Sequence, residues 1–147
     1  MAKYFIMVGV PGSGKSTKAK EIAKEYNAYI NSSDSIREEL YGDENILGDS
    51  KEVFSLMNKR TIEKLSNGEN VICDATNVSI KTRRVALEVV KDIECEKIVV
   101  FMNTPYKESM KRNFSRERKV PAYVIGRMNK QLEIPTKEEG FDDIWIF

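Results

Sequence analysis

Short apolar runs alternate with amphipathic segments along this chain. Five apolar runs have the length of buried strands, at 4–9, 28–31, 71–74, 97–102 and 144–147. Between them, apolar side chains recur at three- and four-residue spacing, which predicts helices over 15–26, 35–41, 50–66 and 79–92, and from 103 and 121 onwards. Alternating strands and helices indicate an α/β fold with a five-stranded parallel sheet and helices on both faces.

The same periodicity predicts which side chains face the sheet. We expect Val53, Phe54, Met57 and Leu65 to be buried in the helix over 50–66, and Val85, Val89 and Val90 in the helix over 79–92. Ligands of parallel sheets bind at the carboxyl ends of the strands. We therefore expect one cluster that contains the loop at 9–17, Asp34, Asp74 and the residues after Met102.

A glycine-rich segment joins the first predicted strand to the first predicted helix. Residues 9–17 read GVPGSGKST and match the phosphate-binding pattern G-x-x-x-x-G-K-[S/T] without a mismatch. Glycines permit the positive φ values that turn successive backbone N–H groups towards one anion, and the helix dipole favours the same point. The alternative is a tight turn that binds nothing. We expect a nucleoside triphosphate to bind here, on Gly9, Pro11, Gly12, Ser13, Gly14, Lys15, Ser16 and Thr17.

Three side chains near this loop have the chemistry to hold ATP and Mg²⁺. Lys15 would reach the β- and γ-phosphates, and the Ser16 hydroxyl would ligate the metal ion. Asp74 ends an apolar strand, where a carboxylate would hold Mg²⁺ through its water shell. ATP and Mg²⁺ are therefore the predicted cofactors.

Composition narrows the class of protein. The 147 residues are 41% apolar and 32% charged, as expected of one soluble domain. No apolar run approaches 18 residues and no signal-peptide pattern opens the chain, so we expect a cytoplasmic protein without a membrane partner. The net charge of +1 argues against a protein that coats nucleic acid by bulk electrostatics.

Two residue types restrict the chemistry. The chain has no histidine, which excludes imidazole catalysis and His-ligated zinc. A general base must then be a carboxylate, a lysine, a tyrosine or water. Cys73 and Cys95 lie in or beside apolar segments, so we expect reduced, buried thiols rather than a disulfide or a metal pair.

An acidic and a basic residue follow the second strand three positions apart. The spacing of Asp34 and Arg37 puts both on one helical face, over the strand ends. Asp34 is a candidate catalytic base that accepts a proton from an attacking hydroxyl, and Arg37 is a candidate to hold an acceptor phosphate. The alternatives are a plain helix N-cap for Asp34 and a surface ion pair for Arg37.

The segment after Asp74 offers further polar candidates. Thr76 and Asn77 would either anchor the loop or touch substrate. Arg83 and Arg84 begin a helix face, and a substrate role for one of them is an open alternative to solvent exposure.

Positive charge is concentrated late in the chain. Residues 97–131 contain nine Lys and Arg against two Glu. A small helical lid over about 106–131 would bring cations over the transferring phosphoryl group and exclude water. The alternative for each arginine is a solvated surface. The candidates for contact with the donor phosphates are Arg112, Arg116, Arg118 and Arg127.

With these motifs assembled, the chain resembles the 5′-hydroxyl polynucleotide kinase family, in particular the kinase domain of the phage enzymes. The resemblance rests on GVPGSGKST, Asp34-x-x-Arg37, the Asp74 to Asn77 segment with Arg83 and Arg84, the segment from Lys111 to Pro121, and the tail at 135–142. It implies a P-loop kinase fold, Asp34 as general base, Arg37 on the acceptor phosphate and a lid arginine as a catalytic clamp on ATP. Arg127 is the candidate clamp, but it stands one position beyond the family's arginine, where this chain has Gly126. One position is about 100° around a helix, so Arg116 and Arg118 are the alternative clamps.

The expected activity is ATP- and Mg²⁺-dependent transfer of the γ-phosphoryl group to the 5′-hydroxyl of DNA or RNA, in nucleic acid end repair. Alternative acceptors are a nucleoside, a nucleotide, a hydroxymethylated base or another small alcohol. An ATP-binding switch without transfer is the other alternative. Acceptor identity is expected to depend on the loop at 42–50 and the helix over 50–66. The chain carries no acid-phosphatase motif, and its 147 residues are expected to be a single kinase domain.

Overall fold

The computed structural model describes residues 1–116 and 120–147. The strands are β1 (Ala2–Val8), β2 (Tyr29–Ser32), β3 (Val71–Asp74), β4 (Cys95–Phe101) and β5 (Asp143–Ile146). The helices are α1 (Lys15–Tyr26), α2 (Ser33–Tyr41), α3 (Ser50–Ser66), α4 (Ile80–Val89), α5 (Tyr106–Ser115) and α6 (Ala122–Gln131), and a 3₁₀ turn covers Lys137–Glu139. The predicted order of strands and helices is confirmed. β3, α1 and α3 have the predicted bounds, and the ends of the other elements differ by at most three residues.

The five strands form one parallel sheet in the order β2-β3-β1-β4-β5. β1 is central, and Phe5 pairs with Ile72 of β3 on one side and Ile98 of β4 on the other. Because all strands are parallel, their carboxyl ends meet at one edge of the sheet. The loops after β1, β2 and β3 therefore converge there.

Side chains of successive residues in β1 pack into different cores, because strand residues alternate between the two faces. Phe5 and Met7 pack with Ala19 and Ile22 of α1. Tyr4, Ile6 and Val8 face the opposite core, which α2, α3 and α4 cover with side chains that include Ile36, Val53, Met57, Leu65 and Leu87. Helices on both faces were predicted, and the prediction is confirmed.

A third, smaller core connects the loop after β1 to the late helices. Val10, Val78 and Ile125 are buried together, and Met110 and Val120 pack against them. Ile125 of α6 is completely buried. α5 and α6 cover the segment in which the lid was expected, and this cluster packs α6 against the glycine-rich loop.

Two predictions of inward-facing residues are wrong. Phe54 is 40% exposed, because the buried stripe of α3 runs through Val53 and Met57 and leaves Phe54 at its edge. Val85 is 58% exposed, because the inward stripe of α4 begins at Arg83 and places Val85 on the far side of the helix.

Among the described residues, no helix is both long enough and apolar enough to cross a membrane. Cys73 and Cys95 are both buried and free of a disulfide bond.

Candidate functional site

A cleft of about 720 Å³ opens at the carboxyl ends of β1, β2 and β3. It is bounded by the glycine-rich loop, the start of α2, the segment after β3, the loop and helix at 45–54, and the two late helices. Most of the predicted site residues line it: Pro11, Gly12, Gly14, Lys15, Ser16, Thr17, Asp34, Arg37, Asp74, Arg112, Arg116 and Arg127. Arg118 lies outside the described residues.

The glycine-rich loop presents free backbone donors to this cleft. Gly12 and Gly14 have φ values of 86° and 92°, which residues other than glycine rarely adopt. The first intrahelical bond of α1 runs from Lys18 N–H to Gly14 O at 3.0 Å, so the N–H groups of Lys15, Ser16 and Thr17 lack intrahelical acceptors.

No side chain caps α1, whereas α2, α3 and α4 are capped by Ser32, Asp49 and Ser79. An uncapped helix start with converging N–H groups fits a phosphate group.

Gly9 and Ser13 lie behind this surface. The Ser13 side chain is 1% exposed, and its N–H donates to Val10 O at 3.1 Å. The Ser13 carbonyl accepts hydrogen bonds from Thr104 Oγ1 at 2.7 Å and Arg112 Nη1 at 3.4 Å. These contacts hold the loop against α5 and the segment after β4.

Lys15 and Ser16 both reach the carboxylate that ends β3. Lys15 Nζ donates to Asp74 Oδ1 at 2.9 Å, and Ser16 Oγ donates to Asp74 Oδ2 at 3.5 Å. The side chains of Lys15 and Asp74 are only 14% and 8% exposed.

Hydroxyl and carboxylate oxygens are hard ligands of the kind that Mg²⁺ prefers, so the donor set fits this ion. The described residues contain no group of three acidic, cysteine or histidine side chains that could cage a metal. A Mg²⁺ ion on Ser16 and Asp74 would take its other ligands from phosphate and water.

Asp34 and Arg37 lie on the first turns of α2 and line the same cleft. Arg37 Nη1 is 3.4 Å from Asp34 Oδ1, and the side chains are 13% and 41% exposed. Ser32 Oγ accepts from Ser35 N–H at 3.3 Å, so Ser32 is the N-cap, and the N-cap alternative for Asp34 is wrong.

Arg37 Nε is buried without a hydrogen-bond partner. Buried donors are rarely left unpaired, so this guanidinium has capacity for an anion from the cleft.

The loop after Asp74 is anchored to β1. Asn77 has a φ of 46°, and its Nδ2 donates to Met7 O at 2.9 Å and Ala75 O at 3.3 Å. Gly9 N–H donates to Thr76 O at 3.0 Å. Of the two alternatives for Asn77, the structure shows the anchoring one, while Thr76 lines the cleft.

Arg83 is a structural residue, so the alternative of a substrate role for it is wrong. The side chain is completely buried, with Nε 2.8 Å from Glu139 Oε1. Its Nη1 donates to Asn77 O at 2.9 Å, and its Nη2 donates to Glu133 O at 2.8 Å. Arg83 therefore ties the 3₁₀ turn to the loop that lines the cleft, while Arg84 is exposed.

The described lid arginines approach the cleft from different elements. Arg112 of α5 is 50% exposed and donates to Glu108 at 3.2 Å. Arg116 Nη2 donates to Asn113 Oδ1 at 3.1 Å. Arg127 is exposed on α6. With Arg37, four described arginines therefore border the cleft.

Apolar side chains at the cleft were not identified individually from the sequence. Leu47, Phe54 and Tyr123 line it and are 69%, 40% and 74% exposed. The loop that carries Leu47 has a defined shape, because the Tyr41 hydroxyl accepts from Asp49 N–H at 3.1 Å. The loop at 42–50 and the helix over 50–66 were expected to determine the acceptor, but periodicity predicted Phe54 itself to be a core residue.

The thiol next to Asp74 is held neutral. Burial raises the pKa of Cys73, against the smaller lowering effect of hydrogen bonds from Asn77 and Tyr4. A neutral, buried thiol is a poor nucleophile. The Cys73 thiol is therefore not a candidate base or nucleophile of the site.

The parallel sheet, the glycine-rich loop between β1 and α1 and the helices around the strand ends define a P-loop kinase fold. A family of AAA domains, AAA_33, matches residues 5–135, so the chain belongs to this family.

Three known proteins are similar to this chain, and the second and third of them support the resemblance to polynucleotide kinases. The L-seryl-tRNA(Sec) kinase of Methanococcus maripaludis is 28% identical, over 93% of this chain and 55% of that protein. The bifunctional polynucleotide phosphatase/kinase of Schizosaccharomyces pombe is 24% identical, over 95% of this chain and 32% of that protein. A chain of the solved Pnkp1/Rnl/Hen1 RNA repair complex is 25% identical with a TM-score of 0.80, over 89% of this chain and 44% of that one. The chain thus spans about half or less of these relatives.

Proposed function

We propose that this domain transfers the γ-phosphoryl group of ATP to the 5′-hydroxyl of DNA or RNA. The observation that carries the proposal is the shared cleft of the phosphate loop and the Asp34–Arg37 pair. A donor and an acceptor bound there would be close enough for direct transfer.

The donor half of the reaction depends on the phosphate loop. The N–H groups at the start of α1 and Lys15 bind the phosphates, and a lid arginine, Arg127 or Arg116, offsets charge on the transferring group. Mg²⁺ held at Ser16, with Asp74 behind its water shell, supplies further charge neutralisation when bound.

The acceptor half depends on α2. Asp34 accepts the hydroxyl proton as the acceptor oxygen bonds to the γ-phosphorus. The bond between that phosphorus and the bridging oxygen breaks, and ADP leaves with the electron pair. Asp34 is 41% exposed, so bulk water can then remove the proton.

The other residues of the cleft suit two groups that a polynucleotide end carries besides its 5′-hydroxyl, a phosphate and a base. Arg37, with its unpartnered Nε, suits the phosphate that follows the first nucleoside. Leu47 and Phe54 offer an apolar surface for its base. Supporting relatives include polynucleotide kinases, which would place the activity in end repair.

The principal competitor is the same chemistry on another hydroxyl. One relative is a kinase named for seryl-tRNA, so acceptors other than a 5′ end belong in the test. Arg37 favours a 5′ end over a nucleoside or a simple alcohol as the acceptor, because it would bind a phosphate that these two lack.

The test is incubation with γ-labelled ATP and Mg²⁺ against a panel of acceptors: 5′-hydroxyl DNA, 5′-hydroxyl RNA, a nucleoside 3′-phosphate, a nucleoside, seryl-tRNA and buffer alone. Label on the oligonucleotides, with the nucleoside 3′-phosphate used better than the nucleoside, supports the proposal. Label only on a small alcohol or seryl-tRNA refutes the 5′-end assignment, and label on nothing refutes transfer.

The contribution of the apolar surface has a matched control. F54A should raise the KM for the oligonucleotide several-fold without changing the KM for ATP. F114A removes a similarly exposed phenylalanine, 48% against 40%, that does not line the cleft, and it should change neither constant. If the two substitutions changed the KM for the oligonucleotide equally, Phe54 would not be part of the acceptor site.

A further inference from the structure

The phosphate loop rests directly on α5. A Cβ atom at Gly12 would lie 2.2 Å from Ser109 O and 3.2 Å from Asn113 N, so only glycine fits. Closely packed backbones transmit small displacements, because there is no free space to absorb them. The position of the loop is therefore set by the helix beneath it.

Asn113 is a completely buried amide in this helix. Its Nδ2 donates to Val120 O at 2.7 Å, and its Oδ1 accepts from Val120 N–H at 2.9 Å. This pair of bonds joins the last turn of α5 to the residue that precedes Pro121, and both Val120 and Pro121 line the cleft. One side chain thus connects the helix under the phosphate loop with the wall opposite.

The same amide oxygen contacts a cation of the cleft. Arg116 Nη2 donates to Asn113 Oδ1 at 3.1 Å, and Arg116 lines the cleft that contains the phosphate loop. A long arginine side chain loses conformational entropy when it is held in one geometry. An acceptor that holds Arg116 before ATP arrives lowers that cost of binding.

We propose that Asn113 is a positioning residue that holds Arg116 towards the triphosphate site. Asn113 is itself held in place by its hydrogen bonds to Val120 and by the packing of α5 against the phosphate loop. The inference rests on the proposed function only in taking a triphosphate as the ligand of Arg116. Asn113 does not line the cleft, so the proposal requires its effect on ATP to pass through Arg116 rather than through the phosphate loop or Val120, and a double-mutant cycle separates these routes.

The test is a double-mutant cycle on nucleotide binding. The variants N113A, R116A and N113A/R116A are titrated with Mg²⁺ and a fluorescent N-methylanthraniloyl ATP. Each single substitution should weaken binding by about 10-fold, the order expected for one hydrogen bond to a charged group. The double variant should be no weaker than R116A, because coupled residues are not additive. N129A, on the exposed face of α6, is the matched amide control and should bind as the wild type does.

A double variant that loses the product of the two single effects would overturn the proposal, as would unchanged binding by N113A. If N113A does not fold, the near-isosteric N113L replaces it. That substitution keeps the side-chain volume but removes the Oδ1 atom that accepts from Arg116, and its loss should likewise vanish in the R116A background. The double-mutant cycle measures nucleotide binding and needs no phosphoryl acceptor. It therefore still tests the positioning role of Asn113 if none of the acceptor substrates is phosphorylated. Wild-type protein that binds no ATP analogue would refute both proposals.

Discussion

Lys15 Nζ lies 2.9 Å from Asp74 Oδ1, so the lysine of the phosphate loop is paired with the carboxylate at the end of β3. Both groups are largely buried, and neither charge could be left alone without a large desolvation cost. The pair ties the loop to the end of β3, and we expect a bound phosphate to compete with Asp74 for the lysine.

Replacing Lys15 should therefore abolish most nucleotide binding. We expect K15M to weaken ATP binding by roughly 10- to 100-fold, corresponding to about 1.5–3 kcal/mol for the lost charged hydrogen bonds. Titration calorimetry measures the change. K20M, on the exposed face of the same helix, should bind ATP normally. Undiminished binding by K15M would show that the phosphates lie elsewhere.

Gly12 is required for two separable reasons. At Gly68, φ is 80° with open space around the site, so G68A should cost about 1–2 kcal/mol of left-handed strain alone. At Gly12, φ is 86° and a Cβ would also overlap Ser109 O, so G12A should cost at least about 1 kcal/mol more than G68A. Urea unfolding compares the two, and equal losses would mean that α5 does not restrict the loop.

Arg83 should be a stability residue rather than a catalytic one. R83M leaves Glu139 buried at 7% exposure without its cation, which should lower the unfolding free energy by about 3–5 kcal/mol. The exposed neighbour supplies the control, because R84M should change stability by less than about 0.5 kcal/mol. Thermal unfolding with R83M and R84M side by side tests this, and similar melting temperatures would contradict it.

Asp34 should affect transfer and spare nucleotide binding. We expect D34A to lower kcat by roughly 10²-fold or more while the affinity for ATP stays near that of the wild type. Single-turnover kinetics and ATP titration separate the two. D92A, which removes an exposed carboxylate outside the cleft lining, is the matched control. Full activity in D34A would exclude it as the base.

Stability should fall in alkali, because burial raises the pKa of Cys73 from an ordinary 9.0 and that of Tyr4 from an ordinary 10.0. The folded state then binds these protons more tightly than the unfolded chain does. The contribution of these two buried, protonated groups to the unfolding free energy is fully present below about pH 9. It is lost as the pH rises through their pKa values in the folded protein. Urea unfolding at pH 7.5, 9 and 10 should show the decline, with a shallower slope for C73A. A constant unfolding free energy over this range would contradict it.

Much of the fold could be predicted from short-range pattern. The five strands and the parallel sheet follow from apolar runs separated by helical segments, since a parallel connection needs a crossover. The family resemblance was likewise visible in local motifs such as residues 9–17. Burial within α3 and α4 was harder, because Phe54 and Val85 differ from the inward stripe by only one or two positions on a helix.

The roles of polar residues depended on distant partners. Arg83 and Arg84 are adjacent and identical, yet one binds Glu139, 56 positions away, and the other is exposed. The position of Leu47 and Phe54 at the cleft was equally impossible to predict from the sequence, because an apolar residue type is the same whether the side chain lines a cleft or packs in the core.

The sequence by itself determined the order of elements and the phosphate loop, because hydrophobic periodicity and glycine conformational freedom act between near neighbours. Only the tertiary structure decided that Lys15 meets Asp74, that Gly12 rests on Ser109 and that Asn113 joins α5 to Val120. Those contacts arise where separate strand ends and helices converge, and their geometry depends on how the whole sheet is packed.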